Sequence, residues 1–138
     1  MSETAAAQPI SKPALPPILI ALAAWLVPGL GHLLLRRFGR AITFFIAVGS
    51  LALVGYHLRG LVFPIHLGDF RADTLTFLGG LGDAGSGIFY FLSRVLESAG
   101  ADISRAAGDY GTRFIAAAGV ANYLCIVDAW EIAIGRKE

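Results

Sequence analysis

Cysteine occurs once in these 138 residues, at Cys125. One cysteine excludes an internal disulfide framework and any cysteine-rich metal site. Charge is scarce as well: 15% of residues are charged, against roughly 25% in an ordinary soluble domain. Eleven basic and ten acidic residues nearly cancel to +1, which argues against a nucleic-acid partner held by a basic face. Catalytic signatures are missing too. There is no Gly-rich loop ending in Gly-Lys-Ser/Thr, no His-Glu-x-x-His and no Gly-x-Ser-x-Gly. His32, His57 and His66 share no helical metal-ligand spacing. The chain therefore reads as non-enzymatic, with no cofactor and no metal.

What is there is apolar. Hydrophobic residues make up 56%, too many for a disordered chain, and the length allows one small bundle. No Asp, Glu, Lys or Arg occurs over 13–35 or over 41–58. A membrane span needs about 20 mostly apolar residues. These stretches predict an N-terminal transmembrane hairpin with spans at 18–35 and 41–58. A third apolar stretch, 74–93, holds one charge, Asp83, among Gly79, Gly80, Gly82, Gly85 and Gly87. A fourth, 112–134, has a charge-free centre at 114–127 and ends on Asp128 and Glu131. The fold class is an all-α integral membrane bundle of four spans. The alternative is three spans plus a re-entrant or interfacial Gly-rich segment. Residues 1–15 read as a disordered tail and 16–138 as one transmembrane domain.

Three groups of residues stand out. Arg36, Arg37 and Arg40 crowd the short link between the first two spans. Short cytoplasmic loops collect such residues, so the link is expected in the cytoplasm with the N-terminus outside. The same cluster could hold anionic lipid headgroups. Counting basic residues on each side does not separate three spans from four. Pro28, Gly29, Gly31 and His32 interrupt the first span. They read as a kinked helix end, with His32 bonding the carbonyls freed behind Pro28, or as a local unwinding. Asp83, Asn122 and Asp128 form the candidate intramembrane polar set. Ionisable groups at membrane depth are costly and raise a functional hypothesis by default. Asp83 could instead mark a loop between short interfacial helices, or two half-helices could meet near it. Asp128 could pair with an arginine or meet water.

The run Ala24-Trp25-Leu26-Val27-Pro28-Gly29-Leu30-Gly31-His32, followed by Arg36-Arg37-Phe38-Gly39-Arg40-Ala41, resembles the two-transmembrane-helix domain of small bacterial membrane proteins. That domain has a Pro-Gly-x-Gly-His/Gln turn, a Gly-Arg or Arg-rich link and a second apolar helix. This chain has Leu35-Arg36 where Gly-Arg is usual. Asp109-Tyr110-Gly111-Thr112, residues 122–128 and Gly135-Arg136-Lys137 are similar to an uncharacterised bacterial membrane-protein family of unknown function. The resemblance implies the bacterial inner membrane and carries no catalytic residue with it.

Two roles follow. One is a packing or assembly partner in the cell envelope, using faces such as Ala116, Ala117, Ala118, Gly119 and Ala121 against other membrane helices or a second copy. The other is a subunit of a small oligomeric transporter or channel built on the Gly-rich segment around Asp83.

Overall fold

A computed structural model describes residues 15–63, 74–96 and 106–137. Among these the chain is all-helical: α1 (Pro17–Leu26), α2 (Leu30–Leu34), α3 (Phe38–His57), α4 (Thr74–Gly85), α5 (Ile88–Leu96) and α6 (Ala106–Ala133). The expected tail, apart from Leu15, lies outside the described residues, as does most of the connectors around residues 64–73 and 97–105.

Helix α6 is the axis of the bundle, and its small residues explain why. Gly55 of α3 lies against Gly111 and Ile115, where an added Cβ would come within 2.6 Å of the Ile115 side chain. Val48 and Ala52 pack on Ala118, and Arg40 reaches Asp128. Helix α3 is therefore antiparallel to α6. Helix α1 is antiparallel too: Ile20 and Ala24 pack with Ala129 and Ala133. Helix α4 runs the other way, with Gly82 facing Ala116 and Gly85 facing Gly119 and Tyr123.

Among the described residues two helices, not four, are continuous, long and apolar enough to cross a membrane: α3 and α6. The expected spans at 18–35 and 74–93 are each broken in two. The first break has a clear physical cause. Leu30 N–H donates to Val27 O at 2.9 Å, and Gly29 has φ +85° and ψ −14°. Proline followed by a left-handed glycine is the signature of a type II turn. The chain therefore reverses here and does not merely kink. Gly31 folds back onto α1, 2.7 Å from Ala24 Cβ and 2.9 Å from Ile20 O by an added Cβ. The second break falls at Ser86 and Gly87, where Gly87 has φ +61°. After it, Tyr90 packs with Val62 and Ile115, two turns back along α6 from Asn122.

Three consequences correct the sequence reading. The N-terminal hairpin of two full spans is not formed; α1 and α2 form a short hairpin that turns back halfway. The start of α1, the 36–40 link and the C-terminal residues therefore lie at one end of the bundle, not at opposite ends. Helix α6 also begins at Ala106, earlier than the expected residue 112. The link itself is tight because Arg36 takes the left-handed conformation, φ +59°. Arg36 N–H bonds Leu33 O and Arg37 N–H bonds His32 O, the paired bonds that close a helix C-terminus around a left-handed residue. A non-glycine residue there costs about 1 kcal/mol.

Candidate functional site

The C-terminal ends of α1 and α4 point at each other from opposite ends of the bundle and meet halfway along α6. These helices have ten and twelve residues, so they are roughly 15 and 18 Å long. Each ends in carbonyls without helical partners and carries about half a negative charge. Two such ends repel unless donors lie between them. Asn122 of α6 supplies one: its Nδ2 donates to Trp25 O at 3.1 Å and to Gly85 O at 2.8 Å. Trp25 supplies another, its indole Nε1 donating to Ala84 O at 3.1 Å. The two breaks are in contact, since a Cβ on Gly87 would overlap the Trp25 carbonyl and come within 2.7 Å of Leu26 O.

Among the described residues, two buried side-chain oxygens near this level lack partners. Asn122 is fully buried, and its Oδ1 accepts no hydrogen bond. Asp83 is also fully buried and sits inside α4, so the surface-loop reading of this residue is overturned. Its Oδ2 accepts the Phe63 N–H at 2.7 Å, while Oδ1 has no partner. Ser86 closes the helix end beside it, Oγ donating to Asp83 O at 2.6 Å. A buried carboxylate must be neutralised by a proton or by a cation. Carbonyl-rich helix ends, an amide oxygen and a carboxylate are acceptor chemistry, suited to a cation or a proton.

A second polar cluster lies at the basic end. His32 Nε2 is 2.9 Å from Asp128 Oδ2, and Arg40 and Lys137 approach the same carboxylate at 3.5 and 3.0 Å. Lys137 also pairs with Glu131 at 3.0 Å. Its ammonium is held charged to higher pH than usual by hydrogen bonds to Glu131 and Asp128. His32 thus reaches a carboxylate, not the carbonyls behind Pro28. On its other side, Nδ1 lies 3.6 Å from Cys125 Sγ. Cysteine, histidine and aspartate in line resemble a nucleophile, base and orienting acid. Cys125 and His32 are both fully buried, and the row stitches α2 to α6.

Of the residues singled out by sequence, the structure gathers His32, Arg40 and Asp128 at one end and Asn122 with the α4 terminus at the middle. Asp83 and Asn122 do not hydrogen-bond each other, and neither meets Asp128. Arg36 and Arg37 are exposed at the turn. The sequence reading missed Trp25, Ser86 and the partnership of Cys125 with His32. A tryptophan next to a Pro-Gly turn was the available signal for the first, because a buried indole N–H needs an acceptor. Nothing local marks the other two.

This chain belongs to DUF6677, a family of unknown function, whose model matches residues 19–138. No curated protein and no solved structure matches it.

Proposed function

We propose that this chain is an integral membrane protein, crossing the bilayer with α3 and α6, and that it forms a subunit of a small cation channel or transporter. The observation that carries the second part is the meeting of the α1 and α4 carbonyl ends at buried Asn122. Non-helical backbone is tolerated at membrane depth only where protein or a water-lined cavity covers it. Half-helix C-termini with unwound carbonyls are where such proteins hold cations. The contact between the two breaks closes the middle of the bundle in this conformation, so passage requires them to part.

Several features support the membrane placement. Only 28% of the α3 window and 33% of the α6 window is buried, unlike the core helices of a soluble protein. Their outer faces carry Ile42, Ile46, Leu53, Leu124 and Val127, all more than half exposed. Orientation follows from the basic residues. Among the described residues, Arg36, Arg37, Arg40, Arg136 and Lys137 share one end, against Arg59, Arg94 and Arg113 at the other. We place the basic end in the cytoplasm, in the bacterial inner membrane that the resemblance implies. The packing-partner reading draws less support, because Gly111, Ala118 and Gly119 are already used inside the chain.

Two measurements test this. Single cysteines at positions 38 and 137, in a Cys125→Ala background, should label from the same side of intact cells with an impermeant thiol reagent. Labelling from opposite sides would exclude the proposed topology. Purified protein in liposomes should pass Na⁺, K⁺ or H⁺ above protein-free controls. Asp83→Asn should cut that flux about tenfold or more, as loss of a buried ionisable group on an ion path does, while the protein still elutes as a single species. Undiminished flux in that variant would remove Asp83 from the path.

A further inference from the structure

A groove of about 650 Å³ runs between α3 and α6 at the basic end. Its floor is Phe44, Leu124 and Val127; its mouth carries Arg40, Thr43 and Lys137. That volume falls within the ~300–1,000 Å³ of ordinary ligand clefts. The lining sorts by depth. The apolar part follows two helices proposed above to cross the bilayer, and the cations lie where those helices leave it. Asp128 at the foot of the mouth holds both cations in position, at 3.5 Å from Arg40 and 3.0 Å from Lys137. Both stay accessible, with side chains 42% and 53% exposed. An ammonium has three N–H donors. Lys137 gives them to Asp128 and Glu131, which leaves a third for another acceptor. At the same end of the bundle, Arg36, Arg37 and Arg136 are exposed and add positive charge.

We propose that this groove binds an anionic phospholipid, with an acyl chain along Phe44, Leu124 and Val127 and the phosphate against Lys137 and Arg40. A zwitterionic lipid fits less well, because its choline would bring a second cation to a basic mouth. The inference rests on the membrane placement but not on the cation path. It therefore stands or falls separately from the flux measurement.

The test is native mass spectrometry of the full chain in detergent, offered phosphatidylglycerol and phosphatidylcholine in equal amounts. One phosphatidylglycerol should be retained per chain in clear preference to phosphatidylcholine. Lys137→Gln should lower that occupancy about fivefold, the effect of one basic residue near a charged headgroup. Gly39→Leu is the second variant. Gly39 lines the groove, and an added Cβ there meets nothing within 4 Å. A leucine can fill the space without disturbing the backbone and should abolish retention. Equal retention of the two lipids, or full retention by Gly39→Leu, would overturn the proposal. So would displacement by glycerol phosphate lacking acyl chains, since the groove would then be a phosphate site.

Discussion

Gly119→Ala should cost about 3 kcal/mol or more of stability, at the upper end of what overpacking a core costs. A Cβ at this position would overlap the Gly82 carbonyl and come within 2.7 Å of its carbon and 3.2 Å of Ser86 N. All three atoms are backbone, so no rotamer change relieves the overlap; α4 must move away from α6. Such a movement pulls the α4 terminus off Asn122 and opens the bundle at its middle. Gly39→Ala is the matched control. It has open space around it and removes a glycine from a helix, so it should stabilise by up to about 1 kcal/mol. Thermal unfolding of the purified protein in detergent reads both. Equal, small shifts for the two variants would mean that α4 does not lie against α6 as described.

Asn122→Leu should be nearly as damaging, for a different reason. Leucine keeps the branched heavy-atom skeleton, though it is bulkier, and has no donor, so Trp25 O and Gly85 O would both lose the amide that satisfies them. Each orphaned buried carbonyl costs about 1–3 kcal/mol, giving roughly 2–6 kcal/mol together. Asn122→Asp should be no better tolerated, since it sets a carboxylate between two negative helix ends. Ser at the same place keeps a donor and should recover part of the loss. A Leu variant as stable as the parent would show that the two helix ends are satisfied in some other way. The comparison with Gly119→Ala separates packing from polar satisfaction at one level of the bundle.

The charge map made much of this legible. A charge-free run over 41–58 became α3 within a few residues, because a 20-residue apolar helix has no competing solution once it is long enough. The start of α6 was placed late because Asp109, a charge just before the apolar stretch, read as outside the span, with Arg113 just inside it. They pair with each other at 2.7 Å, one helical turn apart, so they belong to the helix surface. The run over 13–35 misled in the opposite direction. It is apolar throughout, and apolarity reports depth but not direction. Pro28 and Gly29 contained the information that the chain turns, since proline before a left-handed glycine is a turn signature, yet the same pair also suits a kink. Asp83 was ambiguous in the same way, because five nearby glycines permit a loop, a turn or a close helix contact. Gly82 and Gly85 proved to be the close contact and Gly87 the turn.

The sequence by itself determined the helical class, the apolar character of the elements and which residues are too polar to be there by chance. It did so because burial, length and charge are local properties of a segment. The tertiary structure alone decided that α1 and α4 stop halfway and face each other across Asn122. It also decided that His32 meets Asp128 and that both basic clusters lie at one end. These depend on contacts between residues about 40 to 100 positions apart, made possible where glycine and alanine let backbones approach closely. No count of charges along the chain contains that information, because a turn that reverses a helix exchanges the two ends of everything before it.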